Sequence, residues 1–145
     1  MRSLSYVNGK CYLGIGTKAA FFEVDVATKH CRSLLPEMWS DQAYVYDQAD
    51  GRVFCVTQAA ELMSFDAATG QSLEVNCLSG IKEIITAADG SLLGISDTAV
   101  FSIDPQTLQT TTIVDGFTFL THLTEDPITG ALYVFDYADM IRIDR

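Results

Sequence analysis

The chain has 145 residues, 48% of them hydrophobic, enough for one domain with a sizeable core. Nine basic residues against nineteen acidic ones leave a net charge of −10, which repels phosphate backbones and anionic lipid, so neither nucleic acid nor a membrane is an expected partner. No run of eighteen apolar residues exists, which excludes a membrane-spanning helix of ordinary length.

Residues 1–9 carry no apolar signal-peptide core, and the cytoplasm is the expected compartment. Cys11, Cys31, Cys55 and Cys77 form no C-x-x-C pair and read as reduced structural thiols. Neither His30 nor His122 lies near a cysteine in sequence, so a zinc site has little support.

Four segments repeat along the chain: residues 8–25, 50–66, 89–104 and 129–144. Their glycines, Gly9, Gly51, Gly90 and Gly130, are spaced 42, 39 and 40 residues apart. Their closing aspartates, Asp25, Asp66, Asp104 and Asp144, are spaced 41, 38 and 40. A period near forty in a strand-rich chain predicts propeller blades.

Each repeat begins with a strand that enters a tight turn at Asn8-Gly9, Asp50-Gly51, Asp89-Gly90 or Thr129-Gly130. A second strand follows at residues 11–13, 53–56, 92–95 and 132–135. A third runs over 21–24, 62–65, 100–103 and 140–143. In the third strand one position is polar each time (Glu23, Ser64, Ser102, Arg142), which predicts two-sided burial with a single wet position. Asp25, Asp66 and Asp104 open the next turn, and a fourth strand is expected at 32–35, 72–75 and 110–114. The chain is all-β on this reading, one domain of blades at about 3–36, 42–77, 82–115 and 118–145, with three strands in the last.

The pattern of a D/N-G turn, an apolar strand, a short loop and an apolar strand ending in Asp resembles the blades of quinoprotein-like and lactonase-like β-propellers. Residues 62–70 and 100–107 carry the resemblance best. The Trp-Asp and Gly-His marks of tryptophan–aspartate repeats are absent, as is the kelch double glycine. Many closed propellers of this kind zip shut with an outer strand from the N-terminal segment, which this sequence does not offer, so the resemblance implies the C-terminal half of a propeller or a self-standing half that closes with a partner. Here the expected closure is with a second copy, a homodimer joined through its terminal blades. The first blade is expected to expose the face bearing Tyr12 or Phe22, and the last the face bearing Tyr133 or Ile141. A binding or protein-interaction scaffold is the first functional expectation. The alternative implied by the resemblance is half of an enzyme acting on a sugar acid or lactone.

The loops joining second to third strands, and fourth to first, should share the ligand face. A small-molecule or protein ligand is expected there, contacting Lys18, Met38, Trp39, Glu61, Asp136 and Asp139, with Lys82 nearby. Trp39 is the single tryptophan and a candidate anchor. Glu37, Asp41, Asp97, Asp136 and Asp139 supply oxygens for a cation, but no ligand spacing repeats, and solvated turn residues account for them as well. His122 with Tyr137 is the only candidate acid/base pair. G-x-S-x-G, the Walker loop, H-E-x-x-H and the dinucleotide fingerprint are all missing, so no cofactor and no catalytic residue are assigned.

Overall fold

A computed structural model describes residues 3–7, 9–15, 20–35, 44–47, 51–56, 62–66, 69, 71–75 and 80–145. They form four antiparallel sheets. The first holds β1 (Ser3–Val7), β2 (Lys10–Ile15), β3 (Ala20–Asp25) and β4 (Cys31–Leu35) in sequence order. The second holds β5 (Tyr44–Asp47), β6 (Arg52–Val56), β7 (Leu62–Asp66) and β8 (Ser72–Val75). The third holds β9 (Glu83–Thr86), β10 (Leu92–Ile95), β11 (Ala99–Ile103) and β12 (Thr110–Asp115). The fourth has β13 (Leu120–Glu125), β14 (Leu132–Asp136) and β15 (Asp139–Ile143). The first strands β1, β5, β9 and β13 neighbour one another in turn, which makes them the inner edge of an arc of blades.

Successive residues of a middle strand pack against different neighbours, as a two-sided sheet requires. Leu92 joins Phe54, Val56 and Leu62 of the second blade in one core cluster. Leu93 and Ile95 join Leu120, Leu123, Leu132 and Val134 of the fourth in another. Gly94 between them leaves little room, because a Cβ there would come within 3.1 Å of Ile103 Cδ1 and 3.3 Å of the Glu83 carbonyl, and both would have to give way. Two carboxylates stitch the third and fourth blades reciprocally. Glu83 accepts the Leu123 N–H at 3.0 Å, and Glu125 accepts the Ala88 N–H.

The polar third-strand positions are not all wet. Glu23 and Ser64 are buried, contrary to the reading of the sequence. Glu23 receives hydrogen bonds from Lys10 (3.1 Å), Tyr12 Oη (3.1 Å) and two nitrogens of Arg32 (3.0 and 3.1 Å), and Ser64 Oγ is met by Arg52. Polar partners from neighbouring strands stand in for water. The Arg32 guanidinium holds the Glu23 carboxyl below its ordinary value.

The aspartate turns form one repeated six-residue loop. Asp25, Asp66 and Asp104 accept the N–H of the threonine three residues on, at 2.8, 2.7 and 2.8 Å. That threonine's hydroxyl then accepts a further N–H, and the backbone closes the loop. Asp126 with Thr129 builds the same loop between β13 and β14, a first-to-second-strand connection. Thr129-Gly130 is therefore the end of this longer loop and no two-residue hairpin. Its fifth position is left-handed: φ is 57 at Lys29, 59 at Leu108 and 72 at Gly130.

Candidate functional site

The two ends of the arc and the face formed by the second-to-third and fourth-to-first strand loops are the surfaces to consider. Aligning the blades on their turn glycines and closing aspartates puts Tyr133, Phe135, Met140 and Arg142 where Leu93, Ile95, Val100 and Ser102 stand in the third blade. Leu93, Ile95 and Val100 are buried under the fourth blade. Phe135 is 37% and Met140 63% exposed, and Tyr133 is half-buried. At the other end Cys11, Leu13, Phe22 and Val24 occupy positions that are buried in later blades, as at Val53, Cys55 and Met63, yet here they are only half-buried.

Two of the expected assembly residues lie on the inward faces instead. Tyr12 is buried in the row of Glu23, the face corresponding to Phe54 and Leu93. Ile141 packs on the cluster between the third and fourth blades. Strand parity decides this: Tyr12 and Phe22 belong to opposite faces of one sheet, and so do Tyr133 and Ile141.

The loop face of the last two blades, where the sequence leads one to expect a ligand, is built from the entry to β9, the β10–β11 loop, the segment after β12 and the β14–β15 turn. Thr98 and Asp97 carbonyls accept the N–H groups of Phe117 and Leu120, at 3.2 and 2.8 Å. Asp136 accepts Thr118 N–H at 3.0 Å and Phe119 N–H at 2.6 Å, and Tyr137 N–H returns to the Phe119 carbonyl at 3.1 Å. The Phe119 and Tyr137 rings stand 5.6 Å apart at 33°. Lys82 Nζ lies 4.2 Å from the Phe119 centroid and is paired with Asp97.

His122 and Tyr137 do not meet as a pair. His122 Nδ1 is 3.7 Å from Glu83 Oε2, and Tyr137 turns to Phe119. Burial pushes the Glu83 carboxyl above its usual value, against the Leu123 N–H and His122. Asp97 and Asp136 are occupied by Lys82 and by backbone donors, and among the described residues no group of three His, Cys, Asp or Glu side chains gathers as a metal site. Asp139 is exposed at the hairpin end. Lys18, Glu37, Met38, Trp39, Asp41 and Glu61 lie outside the described residues, as does Cys77. Cys11 and Cys31 are free thiols, and Cys55 is fully buried.

Phe119 and Glu83 were missed in the sequence. Phe119 sits in an apolar run, Phe117-Thr118-Phe119-Leu120, that reads as the approach to a strand. Glu83 gains meaning only from standing first on an inner strand.

No family model matches the chain, and no curated protein matches it. Solved structures do. BamB from Moraxella catarrhalis has a TM-score of 0.76 at 18% identity, over 97% of this chain and 41% of that chain. Hydrazine synthase from Kuenenia stuttgartiensis has a TM-score of 0.76 at 11% identity, over 94% of this chain and 43% of that one. The extracellular domain of a putative hybrid two-component system from B. thetaiotaomicron has 0.73 at 10% identity, over 98% and 20%. This chain thus spans less than half the length of each. These neighbours are β-propellers, and at such identities the likeness establishes fold and nothing finer. The chain is an all-β arc of β-propeller blades.

Proposed function

We propose that this chain is a non-catalytic interaction scaffold whose arc closes into a ring with a second copy of itself. The observation that carries this reading is the exposure of Phe135 and Met140 at positions that the repeat elsewhere buries. An apolar sheet face of this kind is stable in water only when something covers it. The half-buried Leu13, Phe22 and Val24 of the first blade form a face of the same chemistry as those that cover internal blades. Two arcs joined head to tail twice about a two-fold axis would place each trailing face on a leading face and leave no end open. The ring would have about eight blades, within the size propellers reach. The separation of His122 from Tyr137 supports the non-catalytic reading over half of a sugar-acid or lactone enzyme.

Sedimentation equilibrium at about 10 μM, a concentration at which a net association of about 7 kcal/mol is visible, tests it. A species of twice the 15.9 kDa protomer is expected. A monomer at that concentration overturns the reading.

A further inference from the structure

The β14–β15 turn passes through Tyr137 and Ala138, and Tyr137 has φ 54, a conformation that glycine or asparagine takes at lower cost. This turn holds the phenol ring out at the rim. Tyr137 is 67% exposed and Phe119, beside it, 43%. Asp136 and the Phe119 carbonyl fasten both residues by their backbone N–H groups, so the two rings are positioned by hydrogen bonds within the fold. Binding to a pre-ordered ring surface loses little conformational freedom.

The fold displays the kind of group this ledge accepts. Lys82 sets its ammonium 4.2 Å from the Phe119 centroid with the Asp97 carboxylate at its side. Tyr137 offers a second ring surface that is open to solvent. Among the described residues the surrounding charge is mostly negative. Asp97, Asp115, Asp136 and Asp139 stand at this end of the blades against Lys82, whereas the six other described lysines and arginines, from Lys10 to Arg145, stand toward the opposite turns. A negative rim around exposed rings attracts cations and orients them over the ring faces.

We propose that the Phe119–Tyr137 ledge takes an arginine or lysine side chain from a basic protein segment. The ring supplies the cation–π surface, and the rim aspartates supply long-range attraction. The inference names the partner chemistry for the ligand face of the scaffold proposed above and does not require the ring to close.

Fluorescence anisotropy with a labelled peptide of alternating glycine and arginine tests it, with a citrulline peptide as the uncharged control. The arginine peptide should bind and the citrulline peptide should not. Tyr137→Ala keeps the net charge and should weaken binding by about 2- to 5-fold, the range of an exposed cation–π contact. Tyr137→Phe keeps the ring and should bind like the parent. Equal binding of both peptides, no binding of the arginine peptide, or unchanged affinity in a folded Tyr137→Ala variant overturns the inference. Capture of maltohexaose in place of the arginine peptide overturns it too, marking a sugar platform. The sedimentation result stands apart: a monomer that binds the arginine peptide through Tyr137 removes ring closure and keeps this inference.

Discussion

Met140→Glu is the substitution that bears most directly on assembly. Met140 is 63% exposed on the outer row of the last blade, beside Phe135 across the β14–β15 pair, so the protomer can accept a carboxylate there without losing core. Fully burying a methionine contributes about 1.5–3 kcal/mol, so covering its exposed part contributes about 1–2 kcal/mol to each joint. A carboxylate in its place loses that burial and also its hydration, at a cost of several kcal/mol more. A two-fold ring has two such joints, so the substitution should cost about 6 kcal/mol or more per dimer, or about four orders of magnitude in dissociation constant. The entropy of association is common to both proteins and cancels in the comparison. Sedimentation equilibrium at about 10 μM should show a dimer for the parent and a 15.9 kDa monomer for Met140→Glu, with matching far-UV circular dichroism. A Met140→Glu chain that remains a dimer refutes the assignment of this face.

Further outcomes follow from the interior. Glu23→Gln breaks the Lys10–Tyr12–Arg32 cluster. Both basic residues are partly exposed and can return to water, so the cost should be about 1–2 kcal/mol by urea denaturation, at the low end for a charged network. Because Glu23 is held below 4.5 in the folded state, the parent should have this contribution in full above pH 4.5 and lose it as the pH falls through the depressed value, a loss that Glu23→Gln lacks. Lys29→Gly relieves an exposed left-handed residue and should raise the melting temperature, by about 1 kcal/mol of stability. Leu108→Gly removes the same strain but empties a fully buried position and should lose about 2 kcal/mol or more; equal signs for the two glycines would contradict the account of the loop. Cys55 should react with a thiol reagent only on unfolding. Cys31, opposite Val24 on the leading face, should react quickly in dilute protein and more slowly as concentration rises, and a rate independent of concentration counts against closure.

The local part of this protein is legible in its sequence. Turn glycines at a fixed period, aspartates with a threonine three residues on, and apolar strands of four to six residues act through contacts a few residues apart. These determined the blades, their order and their all-β character without a third dimension. Even here Thr129-Gly130 misled, because the longer Asp126 loop competes for the same two residues. The faces were not legible. Strands that are apolar on both sides carry no period-two signal to separate a leading face from a trailing one, so Tyr12 and Phe22, or Tyr133 and Ile141, read alike. Only the stacking of blades decided that Tyr12 and Ile141 are inside while Phe135 and Met140 are open. The same holds for the pairs that cross between blades or loops. His122 meets Glu83, 39 positions earlier, and Phe119 meets Tyr137 and Lys82, because inner strands and rim loops of adjacent blades converge in space at separations no local pattern encodes.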